Sequence, residues 1–200
     1  MKKFFVLIAA AIVCTSAMAQ VQFGAKVGID ATHFWGKDTE HGMKIGYQFG
    51  ALMEYKFNPH FAIAPEVVFA SQGGKFKIYE AENKKADNTF TTNYINVPVM
   101  FKWYATPNFS FDLGPQVGFN VYSKYKVGDL DAEDIKDMTK SVDFGVGLGG
   151  TYNLTDNAFV QARYTMGLTD AFKGELNEAK NGNIQIAFGM KFWNQDWERK

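Results

Sequence analysis

Eight stretches of the chain alternate with a period of two, bulky apolar residues on one side and Gly, polar or charged residues on the other. The last stretch is the cleanest. Ile184, Ile186, Phe188, Met190 and Phe192 share one face, and Asn183, Gln185, Ala187, Gly189 and Lys191 share the other. The first set suits hydrocarbon and the second a narrow, wet interior, which is how strands facing lipid read. A bilayer offers no water to an unpaired backbone N–H or C=O, so strands cross it only as a closed ring. The alternation therefore predicts an all-β protein, an eight-stranded antiparallel up-and-down transmembrane β-barrel in the outer membrane of a Gram-negative cell.

The N-terminus agrees with export. Lys2 and Lys3 precede the apolar run Phe4 to Val13, and Ala17-Met18-Ala19 ends before Gln20, the pattern of a secretory signal peptide over residues 1–19 cleaved between Ala19 and Gln20. The run is too short to span a bilayer as a helix, and no later segment approaches the roughly 20 apolar residues that a spanning helix needs. Removing residues 1–19 from the 200 leaves 181, sized for one barrel domain over 20–200. Cys14, the one cysteine, lies inside the signal. The preceding Ala11-Ile12-Val13 fits a lipoprotein cleavage site poorly because Val13 is not small. Without Lys2 and Lys3 the 21 basic residues become 19, against 21 acidic, a balance with no electrostatic footprint for nucleic acid.

Strand one is expected from about Val21 to Phe34 and strand two from about Lys44 to Phe57, with Leu52 breaking the polar inner set. The third, fourth and fifth place Phe61 to Phe69, Ile95 to Trp103 and Phe111 to Val121 outward on alternate residues. The sixth and seventh do the same with Val142 to Leu154 and Val160 to Leu168. Pro65, Pro98 and Pro115 fall inside strands and are expected to mark bends or bulges. Short turns at Pro59, Pro107 and Asp156 alternate with long connections near 35–43, 73–88, 125–139 and 171–182. Short periplasmic turns and long outer loops are the usual asymmetry of such barrels. Tyr55, Phe57, Phe61, Trp103, Phe109, Phe111, Tyr152, Phe159, Phe192 and Trp193 bunch at the short-turn end as an interfacial girdle. A soluble lipocalin-type barrel shares the alternation with the faces exchanged. The crowding of Gly in the polar set opposes it, because eight strands leave little interior room.

The inward set carries Lys26, Glu54, Glu66, Lys102, Asp112, Asp143, Arg163 and Lys191, four of each sign. Charges in a tight interior must be paired or hydrated, so they predict a salt-bridged, plugged lumen, whereas an ion channel favours a ring of one sign. Asp129, Asp131, Glu133, Asp134 and Asp137 in the third long loop lack the Gly of an EF-hand and read as a solvated acidic loop, with no metal site. Asp30, His33, His41, Ser123 and Ser141 lie near the outer rim, but nothing in their spacing assembles a catalytic set. No cofactor and no catalytic residue are expected.

Tyr94-Ile95-Asn96-Val97-Pro98-Val99 and Leu113-Gly114-Pro115-Gln116-Val117-Gly118-Phe119 resemble segments of the porin-family outer-membrane protein β-barrel domain of small, eight-stranded OmpA/OmpX-like proteins. The resemblance implies insertion by the barrel-assembly machinery, which in such proteins reads a last strand ending in an aromatic. Phe192 matches, although Asn194 to Lys200 follow it and Ala187 stands where Gly is common. The expected function is non-enzymatic: structural, or adhesion and recognition through long loops that meet an extracellular ligand, with outer-membrane lipid around the wall. A narrow porin or small-ligand carrier is the alternative, and a lipid-modifying enzyme the third.

Overall fold

The computed structural model describes residues 21–35, 42–79, 85–127, 133–134, 140–170 and 180–192; the expected signal peptide and its cleavage point lie outside them. The strands are β1 (Val21–Trp35), β2 (Gly42–Lys56), β3 (Phe61–Tyr79), β4 (Lys85–Thr106), β5 (Phe109–Val127), β6 (Glu133–Asp134), β7 (Val142–Asn153), β8 (Ala158–Asp170) and β9 (Lys180–Lys191). Eight of them form an antiparallel ring in chain order. Its closing seam joins β1 to β9, from Gly24↔Lys191 to Trp35↔Lys180. The two-residue β6 lies outside the ring, adding to β5 at Lys124↔Asp134 and Tyr125↔Glu133.

The apolar set faces out. Val27, Ile29, Phe49, Val67, Phe101, Leu113, Leu148, Ile186 and Phe188 are among the large side chains exposed on the outer wall, while their strand neighbours Lys26, Gln48, Glu66, Lys102, Asp112 and Gln185 are buried inside. A soluble barrel would expose the second set to water, so the lipocalin-type alternative is excluded. Leu52 does turn inward, where it joins Ala62, Ala64, Val68, Tyr94, Met100, Tyr104 and Phe159 in packing the lumen. Interior room is scarce. A Cβ on Gly50 would stand 2.4 Å from the Val67 carbonyl oxygen, so the wall closes there only with glycine.

Each short turn is held by a side chain accepting backbone N–H bonds. Asn58 Oδ1 takes those of His60 and Phe61 at 2.8 and 2.9 Å. Thr106 Oγ1 takes that of Phe109, and Thr155 Oγ1 those of Asn157 and Ala158. These are Asx- and Thr-based turns of the kind that reverse a chain in few residues. On the outer wall Phe61, Trp103 and Phe111 follow one another across β3, β4 and β5, with Trp103 stacked on Phe111 at 5.7 Å. Phe159 does not belong to this girdle. It is 2 % exposed and fills the lumen, because the outward parity of β8 is carried by Val160 and Tyr164.

Two further expectations are corrected. The segment 73–88 is not a long loop: Gly73 to Tyr79 pair with Lys85 to Thr91, so β3 and β4 run on as a ladder. The prolines do not mark bulges. Pairing skips from Pro65↔Val99 to Val68↔Asn96, and from Pro98↔Gln116 to Phe101↔Leu113, without changing register, while Pro115 pairs with Val146. The register shifts lie elsewhere, between Met43 and Gln48, Asn93 and Tyr94, Tyr104 and Thr106, and Met166 and Asp170. A proline deletes a donor and interrupts the ladder locally, whereas a bulge needs an extra residue.

Lipid-face substitutions should follow depth. Phe188→Lys, in the middle of β9, should cost roughly 2–4 kcal/mol, and Phe192→Lys, at the short-turn rim, about 0–1 kcal/mol. Urea midpoints in lipid vesicles measure both, and equal losses would mean that the wall is not immersed as described.

Candidate functional site

The lumen gathers seven charges from seven strands, and Lys26, Glu66, Lys102, Asp112 and Arg163 are bonded into one belt. Glu66 on β3 stands at its centre. Arg163 on β8 holds it bidentately, Nη2 to Oε1 at 2.7 Å and Nη1 to Oε2 at 3.0 Å, and Lys26 on β1 reaches Oε2 at 2.6 Å. Lys26 also donates to Gln161 Oε1 at 2.8 Å. Gln161 donates in turn to Thr151 Oγ1, and Thr151 to Asp112 Oδ2. Asp112 is paired with Lys102 at 3.0 Å and accepts a bond from Ser110 at 2.7 Å. Nearer the short turns, Lys191 pairs with Glu54 at 3.3 Å, and the Tyr104 hydroxyl donates to the other Glu54 oxygen. Lys56 covers the Tyr104 ring at 4.7 Å.

This arrangement can exist because the strands put polar residues at matching heights on the inner wall. Gly149 of β7 pairs with Asp112 on one side and Arg163 on the other, so no side chain stands between those two on the inner wall. A Cβ there would stand 2.3 Å from the Ala162 carbonyl oxygen. Burying these ions without partners would be prohibitive; bidentate and multiply bonded geometry offsets the desolvation.

Seven of the eight expected lumen charges lie in this interior: Lys26, Glu54, Glu66, Lys102, Asp112, Arg163 and Lys191 are all buried and ion-paired. Asp143 does not join them. It is half-buried and accepts bonds from Thr169 and from Asn181 Nδ2. The reason is position along the strand: Asp143 is six residues from Gly149, about 20 Å at the usual strand rise. Asp30 takes its place as the fourth buried carboxylate. Its inward parity was legible, yet its isolation was not. Tyr104, which shares the inward parity of Lys102, is the other member that the sequence reading did not single out.

The residues weighed for catalysis are spread out. His33 stacks on Tyr164 with ring centres 6.4 Å apart. Ser123 exchanges hydrogen bonds with Asn120, and the carbonyl of exposed Ser141 accepts from the Asn120 N–H. His41 lies outside the described residues, as do Asp129, Asp131 and Asp137 of the acidic loop, whereas Glu133 and Asp134 form β6. Among the described residues no three His, Cys, Asp or Glu come together as metal ligands.

An antiparallel ring with an apolar outside and an ion-paired inside defines a transmembrane β-barrel, and among the described residues no helix is long and apolar enough to cross a bilayer. The chain belongs to the outer membrane protein beta-barrel domain family, whose model matches residues 16–173, and its place is the outer membrane. Among solved structures it is similar to Neisserial surface protein A, at 17 % identity over 85 % of this chain and 97 % of that one, with a TM-score of 0.54. Ail, the attachment invasion locus protein of Yersinia pestis, solved in complex with the heparin analogue sucrose octasulfate, gives 15 % identity over 86 % and 99 %, with a TM-score of 0.49. OprG from Pseudomonas aeruginosa gives 16 % identity over 86 % and 94 %, with a TM-score of 0.39. At these identities the likeness is one of fold. No curated protein sequence matches the chain significantly.

Glu66 serves two cations, so its loss should be felt more than that of either. Glu66→Ala should destabilise by about 3–5 kcal/mol, because it strands Arg163 and Lys26 together. Arg163→Ala, which leaves Glu66 its Lys26 partner, should cost less. The double variant should lie well short of the sum of the two. Urea unfolding of the four forms in one lipid measures the coupling, and simple additivity would show that the pair does not interact.

Proposed function

We propose that the mature protein, residues 20–200, is a non-enzymatic outer-membrane scaffold whose lumen is plugged and whose outer end serves adhesion or recognition. The observation that carries this reading is the ion-paired belt: Lys26, Glu66, Arg163, Gln161, Thr151, Asp112 and Lys102 are bonded to one another across the ring. Eight strands leave an interior that side chains fill, and here they fill it with mutually committed charges.

Length supports the outward role. β3, β4 and β5 run for 19, 22 and 19 residues, against the roughly 9–11 that a tilted strand needs to cross. On β5 the outward residues change from Phe119 and Val121 to the exposed Lys124 and Lys126, so the extended wall leaves the apolar band and carries basic residues into water. Such a surface can meet an extracellular ligand. Lipid surrounds the wall, and the barrel-assembly machinery would engage β9, whose exposed Phe192 follows it and donates its N–H to the Phe23 carbonyl at 2.8 Å.

Planar-bilayer recording tests the plug. The protein should pass no steady ionic current, whereas a folded Lys26→Ala/Glu66→Ala/Arg163→Ala variant should conduct. Steady current through the parent protein would replace the scaffold with a narrow pore.

A further inference from the structure

The four buried lumen cations are all taken by three carboxylates: Lys26 and Arg163 by Glu66, Lys102 by Asp112, and Lys191 by Glu54. Asp30 is left over. It is 1 % exposed, and neither carboxylate oxygen has a hydrogen-bond partner in the protein. Lys26, four residues along the same strand, has its ammonium committed to Glu66 and Gln161.

The side chains around Asp30 are in the same condition. Asn183 and Gln48 are buried with both amide atoms unpartnered, and the Thr165 hydroxyl is buried and unpartnered as well. Register places them together on the inner wall. Thr32, two residues from Asp30 on the same face, pairs with Asn183, which pairs with Thr165 on β8; Gln48 pairs with Gly28, two residues from Asp30 on the other side. Direct cross-strand neighbours stand about 5 Å apart at Cβ and diagonal ones about 7–8 Å, within reach of one small guest.

The region is also enclosed. Toward the short turns lies the ion-paired belt. Toward the loops, Thr32 Oγ1 donates to the Gly73 carbonyl at 2.6 Å and accepts from the Gly73 N–H at 3.0 Å, reaching across β2. Gly73 has a φ of 144°, a conformation that glycine adopts readily, and Ser71 through Gly74 are all buried. Lys44 adds bonds to the Gln72 carbonyl and Thr91.

We infer that this enclosed chamber is a binding site for an alkali-metal cation, held by the Asp30 carboxylate and the oxygens of Gln48, Asn183 and Thr165. The chemistry is that of hard oxygen donors, which select hard cations. One carboxylate among neutral oxygens matches a single positive charge, whereas Ca²⁺ sites gain affinity from several carboxylates. A cation also supplies what a buried carboxylate in an enclosed interior otherwise lacks. The site lies above the belt and does not depend on what the outer surface recognises.

The test uses purified, folded protein in detergent micelles. The ²³Na resonance of NaCl should broaden in its presence, and KCl should reverse the broadening by competition while choline chloride does not. Thermal unfolding at fixed ionic strength should occur at higher temperature in NaCl than in choline chloride. Both effects should vanish in Asp30→Asn, and in Asn183→Leu they should need more sodium. Should Asp30→Asn fail to fold, the potassium competition in the parent protein and the Asn183→Leu titration still decide. Identical behaviour in sodium and choline, with no broadening, would overturn the site and leave Asp30 as a protonated acid; broadening that survives Asp30→Asn would overturn the assignment of its ligands.

Discussion

The β1–β9 seam is the constraint on which the rest depends. Gly24 through Trp35 pair with Lys180 through Lys191, and Phe192 continues the line by bonding to the Phe23 carbonyl. Without it β1 and β9 would present two unsatisfied edges to hydrocarbon, which a bilayer does not tolerate. Closure also creates the lumen. An open sheet with the same alternation would have a polar face in water; rolled up, that face becomes an interior in which each charge must find a partner.

The interior is therefore a problem of space and charge together. Glycine answers the first, as at Gly50 and Gly149, where the backbone of the next strand occupies the place of a side chain. Long, flexible cations answer the second: Lys26, Arg163 and Lys191 reach past intervening strands to carboxylates on β3 and β2, and Lys102 pairs with Asp112 on the adjacent β5. The division into a bonded belt near the short turns and an enclosed polar chamber above it follows from where those long side chains end. Lys26 gives its hydrogen bonds to Glu66 and Gln161 and none to Asp30, so the two halves of the lumen have different chemistry within one ring.

The parts that sequence reading placed wrongly share a cause. Pro65 and Pro98 look like bulge positions because a proline within a strand breaks the ladder, but whether an extra residue is inserted is set by the partner strand. Asp143 has the right parity for the lumen and the wrong height. Phe159 has an aromatic ring suited to the girdle, yet its parity sends it inside, over Gly189. The connection at 73–88 carries polar residues like a loop, yet 73–79 and 85–88 are laddered, since three long strands beyond the membrane edge can pair with each other without needing an apolar face.

The sequence by itself determined which side of the wall each residue takes, because that depends only on a period of two along each strand. From that came the barrel, its eight strands, the apolar exterior and seven of the eight lumen charges. The tertiary structure alone decided which charge meets which. Glu66 and Arg163 are 97 residues apart in the chain, and their meeting depends on ring closure, strand stagger and the height that each residue reaches, none of which a local pattern encodes. For the same reason only the folded ring could single out Asp30, a carboxylate with the same parity as its counterparts but without an ion-pair partner among the lumen cations.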